Sequence, residues 1–398
     1  MLTRREFTGG LASVFGAGAL GGCLGLRQGE ARAYSMAVLG DLHYDTSPET
    51  VYHAKFIERF RPTGEHPVRF KEFVRNAKMW AGPSRKILAA SGRCVTDDTA
   101  MVLQMGDLIQ GDCNDLAVHR RMLDETAALM KSAYPASLPF VTTCGNHDIR
   151  EGRELGGRGA FGAQQPYADC IRAFETRELG PRLCGPIEDT TFAFREGPDL
   201  YLIIDFNSAP ANIGLTKRLL AENPDVRYTF VLVHGGVFPF DSWDCRWFYL
   251  GGANRLLPNV ATPDPLGEER REMRRVLARR NAIVLCGHTH CLELKDAEFP
   301  EGRITEMTMN TMQGTSDGRE NPAVPDVVRE GPERYGDTPW VRNTPDVKAL
   351  FDEYRPFMKR YYFAKAVGHA RLCVSDAGVR FDFYGRDAVV PTKTFRLR

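Results

Sequence analysis

The sequence predicts an α/β protein, on three observations: short apolar runs suited to buried strands, amphipathic segments between them suited to helices, and clusters of Gly, Asp, Asn and His where the runs end. The runs are residues 36–39, 100–103, 140–144, 200–204, 230–233 and 282–286. They do not alternate apolar with polar residues, which is the pattern of strands covered on both faces. Between the second and third runs, residues 115–131 set Leu116, Met122, Leu123, Leu129 and Met130 among charges, as an amphipathic helix does. Residues 215–222 and 267–280 read the same way. In the latter, Glu268-Glu269-Arg270-Arg271-Glu272 marks a solvated face.

The C-terminal part differs in character. Residues 314–346 are rich in Gly, Pro and Asp and predict a long surface excursion. Residues 370–384 then alternate, with Val379, Phe381 and Phe383 on one face and Arg380, Asp382 and Tyr384 on the other. With Asp376-Ala377-Gly378 as a turn, they predict a half-exposed β-hairpin packed on the core. The expected organisation is a leader over 1–33, a core over 34–310, and the excursion and hairpin over 311–398.

Composition narrows the function classes. The chain has 398 residues, 43% hydrophobic and 26% charged, an ordinary globular mixture. A formal net charge of +1 disfavours long nucleic acid as a partner. The 10 cysteines are scattered without a CxxC pair, which argues against a zinc ribbon or a disulfide framework. Cys144 and Cys286 lie in apolar runs and read as small buried hydrophobes. Pairings among Cys94, Cys113, Cys170, Cys184 and Cys245 cannot be assigned from spacing.

The N-terminus carries Thr3-Arg4-Arg5-Glu6-Phe7, followed by a small-residue, weakly apolar stretch from Gly9 to Gly22. This resembles a Tat signal, which exports folded proteins across a bacterial inner membrane. The stretch is too short and Gly-rich for a membrane span. Leu20-Gly21-Gly22-Cys23 resembles a lipoprotein box and would place a lipid on Cys23; Ala31-Arg32-Ala33 resembles an ordinary cleavage site. The expected location is the periplasm, free or anchored through Cys23, with the lipoprotein preferred.

The chemistry-bearing residues follow the strands. The first run leads into Gly40-Asp41-Leu42-His43 and the second into Gly106-Asp107. The third leads into Gly145-Asn146-His147-Asp148, the fifth into His234-Gly235-Gly236 and the sixth into Gly287-His288-Thr289-His290. In open α/β sheets, ligands bind outside the carboxyl ends of strands, so separate segments deliver their polar tips to one rim. Asp, Asn and His suit Mn, Fe or Zn ions. A site for two such ions needs a bridging carboxylate and several imidazoles, and Asp107 can bridge. Of the 9 histidines in the chain, five fall in these clusters.

In these residues, over roughly 34–310, the sequence resembles the calcineurin-like metallophosphoesterase superfamily, whose pattern is D-x-H, G-D, G-N-H-D/E, H and G-H-x-H. The resemblance implies a four-layer αββα sandwich of two mixed β-sheets flanked by helices. It implies one metal held by Asp41, His43, Asp107 and His290, and another by Asp107, Asn146, His234 and His288. The implied reaction is in-line attack on a phosphate mono- or diester by a hydroxide bridging the metals. His147 would protonate the leaving oxygen, and Asp148 would orient that imidazole and raise its pKa. Asp148 also fits a helix N-cap. Purple acid phosphatases carry Tyr three residues after the bridging Asp; Gln110 stands there, which argues against the purple subclass. The expected substrate is a small or lipid-like phosphate ester, with a nuclease or cyclic-nucleotide phosphodiesterase as the enzymatic alternative and a non-catalytic scaffold as the other.

Other residues carry weaker signals than the ligands. Phe238, Phe240, Trp243, Trp247, Phe248 and Tyr249 read first as a small satellite core and second as a wall for the substrate. Asp205 and Asn207 read as a turn, Asp112 and Asn114 as loop residues, and Arg150 as a surface residue. His53, His66, His119 and His369 fit no ligand pattern. Oligomeric state is open.

Overall fold

The computed structural model describes residues 33–46, 52–60, 67–150, 164–187, 190–205, 213–241, 267–309, Met312 and 326–398. In chain order the elements are β1 (Tyr34–Leu39), α1 (Ala54–Phe60), α2 (Pro67–Ala81), α3 (Pro83–Arg93), β2 (Thr99–Gln104), α4 (Leu116–Ala133), β3 (Phe140–Thr142) and α5 (Gln164–Leu179). Next come β4 (Phe192–Glu196), β5 (Asp199–Ile204), α6 (Ile213–Ala221), β6 (Thr229–Val233), α7 (Gly267–Arg279), β7 (Ile283–Cys286), β8 (Leu292–Phe299) and β9 (Gly302–Thr308). The remainder is β10 (Asp326–Glu330), α8 (Pro339–Arg342), α9 (Pro345–Tyr354), β11 (Met358–Lys365), β12 (Gly368–Ser375), β13 (Gly378–Gly385) and β14 (Lys393–Arg396).

The strands form two mixed sheets. One has six strands in the order β14-β13-β12-β1-β2-β3, the other eight in the order β10-β11-β8-β9-β7-β6-β5-β4. In the first, β1, β2 and β3 are mutually parallel. In the second, β5, β6, β7 and β9 are parallel. Their carboxyl ends therefore gather along one rim of each sheet.

The unalternating strands are covered on both faces. Met36 and Val38 join Tyr201, Ile203, Ile283 and Leu285 in the core between the sheets. Their neighbours Ala37 and Leu39 face Trp80, Leu88 and Met122 under the helices α2, α3 and α4. On the far side, Leu200, Leu202, Val284 and Cys286 meet Leu220, Leu277 and Phe351 of α6, α7 and α9. Successive side chains of a strand point to opposite faces, so each strand is apolar throughout because both faces are roofed. The result is the expected helix-sheet-sheet-helix layering. The expected helix over 115–131 starts where the Asp115 carboxylate accepts the N–H groups of Ala117 at 2.8 Å and Val118 at 3.1 Å.

The expected C-terminal hairpin forms, β12 and β13 pairing from Gly368↔Gly385 to Ser375↔Gly378, but it is part of the first sheet and less exposed than expected. β12 pairs antiparallel with β1, from Tyr34↔Val374 to Val38↔Ala370, and β13 and β14 extend that sheet. Val379, Phe381 and Phe383 lie in the core between the sheets. On the other face Asp382 and Tyr384 are buried and only Arg380 is exposed. Within the expected surface excursion, residues 326–330 form the edge strand β10 against β11. Alternation reports two unlike faces, and it cannot say that another strand lies alongside.

The described cysteines Cys94, Cys113, Cys144, Cys170, Cys184, Cys286, Cys291 and Cys373 are free thiols. Among the described residues, no helix is long and apolar enough to cross a membrane. The Arg4-Arg5 motif, Cys23, Ala31, Arg32, His66, Asn207, Cys245, Trp243, Trp247, Phe248 and Tyr249 lie outside the described residues.

Candidate metal centre

The first-sheet strands β1, β2 and β3 deliver Asp41 and His43, Asp107, and Asn146 and His147. The second-sheet strands β6 and β7 deliver His234, and His288 and His290. Each rim is tied within its own sheet by a main-chain bond: Met105 N–H to Leu39 O at 3.0 Å in the first, and Gly287 N–H to His234 O at 2.9 Å in the second. A bond between the sheets joins them, from His234 Nδ1–H to Met105 O at 2.7 Å. That bond orients the His234 ring and turns Nε2 toward Asp107 and His288.

Two clusters result. His290 Nε2 lies 3.1 Å from Asp41 Oδ2 and 3.0 Å from His43 Nε2. His234 Nε2 lies 3.1 Å from Asp107 Oδ2 and 3.3 Å from His288 Nδ1, which is 3.1 Å from Asn146 Oδ1. Asp107 stands between the clusters. Its Oδ1 accepts the His147 N–H at 2.7 Å, while Oδ2 faces His234 and lies 3.5 Å from His43 Nε2. The groups Asp41-His43-His290, His43-Asp107-His147 and Asp107-His234-His288 each bring three ligand atoms close enough to hold a metal ion. All seven expected ligands are brought together. Carboxylate oxygen, amide oxygen and imidazole nitrogen form a donor set that fits divalent transition ions.

The rim is backbone-demanding. His43, Asp107, His288 and His290 have φ of 43°, 50°, 70° and 54°, in the left-handed region. Such residues cost about 1–3 kcal/mol each and persist where the surroundings over-determine them. The two glycines before Asn146 and His288 allow the close approach. A Cβ on Gly145 would strike the Asp107 amide and carboxylate, and one on Gly287 would strike Asp41 Oδ1. The His288 N–H in turn reaches both oxygens of Asp41, at 3.1 and 3.0 Å.

The centre calls for positive charge. Burial opposes a proton on His234, yet Asp107 and Asp41 outweigh it and raise its pKa. Burial likewise opposes the charge on Asp107, and the surrounding imidazoles His234 and His147 hold its pKa well below the usual carboxylate range. For His43 burial prevails and keeps the imidazole neutral, the form that ligates a metal.

His147 sits edge-on to His43, ring centroids 4.4 Å apart, and its Nδ1–H donates to the Gln110 carbonyl at 2.8 Å. The expected support from Asp148 is absent. Asp148 instead accepts the Ile109 N–H at 3.1 Å and the Gly145 N–H at 2.8 Å, so it braces the loops that carry Asp107 and Asn146. Burial, and the nearby Asp107, push its pKa up to about 7. The reason for the difference is geometric. Residue 148 points back under the turn, where two amides need an acceptor, and the Gln110 main chain is nearer the ring.

Sequence reasoning missed several supports because they act through main-chain atoms or come from unremarked segments. Asn76 of α2 donates to the Gln110 side chain. Glu306 of β9 accepts the Val237 and Phe238 N–H groups just after His234, and Lys295 Nζ bridges Glu306 at 3.0 Å and Glu293 at 2.7 Å. Arg150 is not a surface residue: its side chain is 11% exposed and lies 3.5 Å from Asp112. Phe238 and Phe240 are buried in the outer core, and the Phe240 ring meets His288 edge-on at 5.3 Å. His53 is buried against Asp45 at 2.8 Å and stacked on Phe73.

Fold and centre together define a class: a metal-binding hydrolase acting on phosphoester bonds. The chain belongs to the calcineurin-like phosphoesterase family, whose model matches residues 34–292. Solved structures it is similar to include a purple acid phosphatase from yellow lupin (Lupinus luteus) seeds, 11% identical, TM-score 0.48, covering 92% of this chain and 54% of that one. PhoD is 11% identical, TM-score 0.48, with coverage of 92% and 69%. A dimetal phosphatase from Danio rerio is 12% identical, TM-score 0.47, with coverage of 93% and 100%. The chain thus spans about half the length of the lupin protein. No curated protein matches the sequence.

Proposed function

We propose that the protein hydrolyses small or lipid-like phosphate mono- or diesters at a pair of Mn, Fe or Zn ions, outside the cytoplasm. The observation that carries the catalytic part is the division of labour at Asp107. One carboxylate oxygen is held by the His147 amide, and the other is turned to imidazoles of both clusters. Asp41, His43, Asp107 and His290 would hold one ion, and Asp107, Asn146, His234 and His288 the other. Bound there, the ions supply a nucleophile at neutral pH and offset charge on the phosphoryl oxygens. The chain's own contributions are the oriented ring of His234, the braced loops above Asp148, and a proton for the leaving oxygen from His147.

One panel tests the reaction. Metals are measured by elemental analysis, and turnover is compared on an aryl monoester, an aryl diester, a cyclic nucleotide and a glycerophosphodiester. No bound transition metal and no hydrolysis of any of the four would overturn the proposal. A preference for the cyclic nucleotide would instead assign the phosphodiesterase alternative. Asp107→Ala should lose at least one metal equivalent; full occupancy would contradict its bridging position. The Arg4-Arg5 motif and Cys23 support export, in the periplasm or anchored as a lipoprotein. Mass spectrometry of the mature protein distinguishes a lipidated Cys23 from a chain beginning at Tyr34, and an unprocessed cytoplasmic chain would exclude both.

A further inference from the structure

Away from the metal centre, Arg227, Arg279, Arg280, Arg303 and Arg398 line one cavity of about 460 Å³, and no Asp or Glu is among its lining residues. Its place follows from topology. Arg227 precedes β6, Arg279 and Arg280 precede β7, and Arg303 opens β9. These strands are parallel, so the cavity lies at their amino ends, whereas the metal-centre residues lie past their carboxyl ends. Five residues of β6 separate the poles by about 16 Å at about 3.3 Å per residue.

Arg280 and Arg398 are held in place by neutral carbonyl oxygens rather than by carboxylates. Arg280 donates to the carbonyls of Asn223 and Pro224, and Arg398 to those of Asn281 at 2.8 Å and Ala282 at 3.3 Å. Carbonyls are neutral acceptors that orient a guanidinium and leave its charge. Arg227 pairs with two carboxylates, Asp199 at 2.6 Å and Asp376, and Arg303 pairs with Asp296 at 2.6 Å, which is shared with Arg360. Among the described residues, no carboxylate forms an ion pair with Arg279, Arg280 or Arg398. The crowding is felt at Arg398, where burial and then Arg303 push the pKa down to about 10. Oriented, planar and weakly hydrated cations around a concavity of ligand size match the oxygens of phosphate groups.

We infer that this cavity binds a polyanion bearing phosphate groups, either a soluble polyphosphate or the headgroup of an anionic phospholipid, at a site separate from the metal centre. The inference does not depend on the proposed hydrolysis. The test uses the full, metal-loaded protein. Calorimetric titration with tripolyphosphate is compared between the wild type, Arg279→Ala/Arg280→Ala and His234→Ala. In parallel, flotation with phosphatidylglycerol vesicles is compared with phosphatidylcholine vesicles. At least tenfold weaker tripolyphosphate binding in the double variant, with His234→Ala binding as the wild type does, supports a soluble ligand. Loss of phosphatidylglycerol flotation in the double variant supports the headgroup. Arg279 is exposed and Arg280 half-buried, both at the pole away from the metal centre, so the double variant should keep a cooperative melt and its aryl phosphate turnover. Binding that survives in the double variant but is lost in His234→Ala would overturn the inference, as would no binding in either assay.

Discussion

His147 illustrates how much one residue's role depends on its second nitrogen. Because Nδ1 donates to the Gln110 carbonyl, Nε2 is the atom that can give or take a proton. His147→Ala should therefore lower turnover by about 10²–10⁴-fold on alkyl phosphate esters. The loss should be much smaller on aryl esters, whose leaving oxygens need little protonation. Rates on a graded series of leaving groups check this, and equal losses across the series would refute the acid role. The residue types and spacings of the ligand set were legible in the sequence, since GNHD and GHTH are distinctive strings. The partner of His147 was not. A main-chain carbonyl leaves no mark in composition, and Asp148, the neighbour in sequence, is turned to two amides instead.

At the level of elements, the loop after β6 depends on a strand far from it in sequence. Glu306 on β9 takes the N–H groups of Val237 and Phe238, and Lys295 on β8 sits between Glu306 and Glu293, all fully buried or nearly so. Removing Glu306 leaves two amides without their acceptor and breaks one of the two buried ion pairs of Lys295, which keeps Glu293. Glu306→Ala should destabilise the fold by about 3–5 kcal/mol. It should also loosen the segment that follows His234. Denaturant unfolding measures the first effect, and metal content after dialysis measures the second. Unchanged stability and metal retention would refute this pinning role. The apolar run 230–233 announced β6, yet nothing in β9 announced its carboxylate as a clamp, because Glu306 reads in sequence as an ordinary polar residue of an alternating strand.

Two expectations belong to the whole molecule. The strands after residue 366 complete the first sheet and place Leu372, Phe381 and Phe383 between the sheets. A chain ending at residue 365 would lose three of the first sheet's six strands and expose the edge of β1 and the core beneath them, so it should fail to fold. Circular dichroism and solubility of the truncated chain test this, and a cooperative melt would contradict it. The second expectation concerns acid. Burial lowers the pKa of His119 and of His369 from 6.5 to about 4. For these two groups the unfolded chain binds more protons than the native one as pH falls below 6.5, so the stability they contribute is full above that value and declines toward pH 4. Melting temperatures across pH 4–7 should fall on the acid side, and His119→Phe should flatten part of the decline. A slope unchanged in that variant would refute the contribution of His119.

By itself the sequence determined the strand-helix alternation, the strands buried on both faces, and the identity of the residues at the strand ends. Each of these is a local pattern, set by side-chain periodicity and by glycines that allow sharp turns. Only the tertiary structure decided which oxygen of Asp107 faces which imidazole, that Asp148 braces loops, that the C-terminal strands lie beside β1, and that arginines from four distant segments share one cavity. Those outcomes depend on contacts between residues far apart in the chain, where no short-range pattern records which partner a side chain or strand edge will meet.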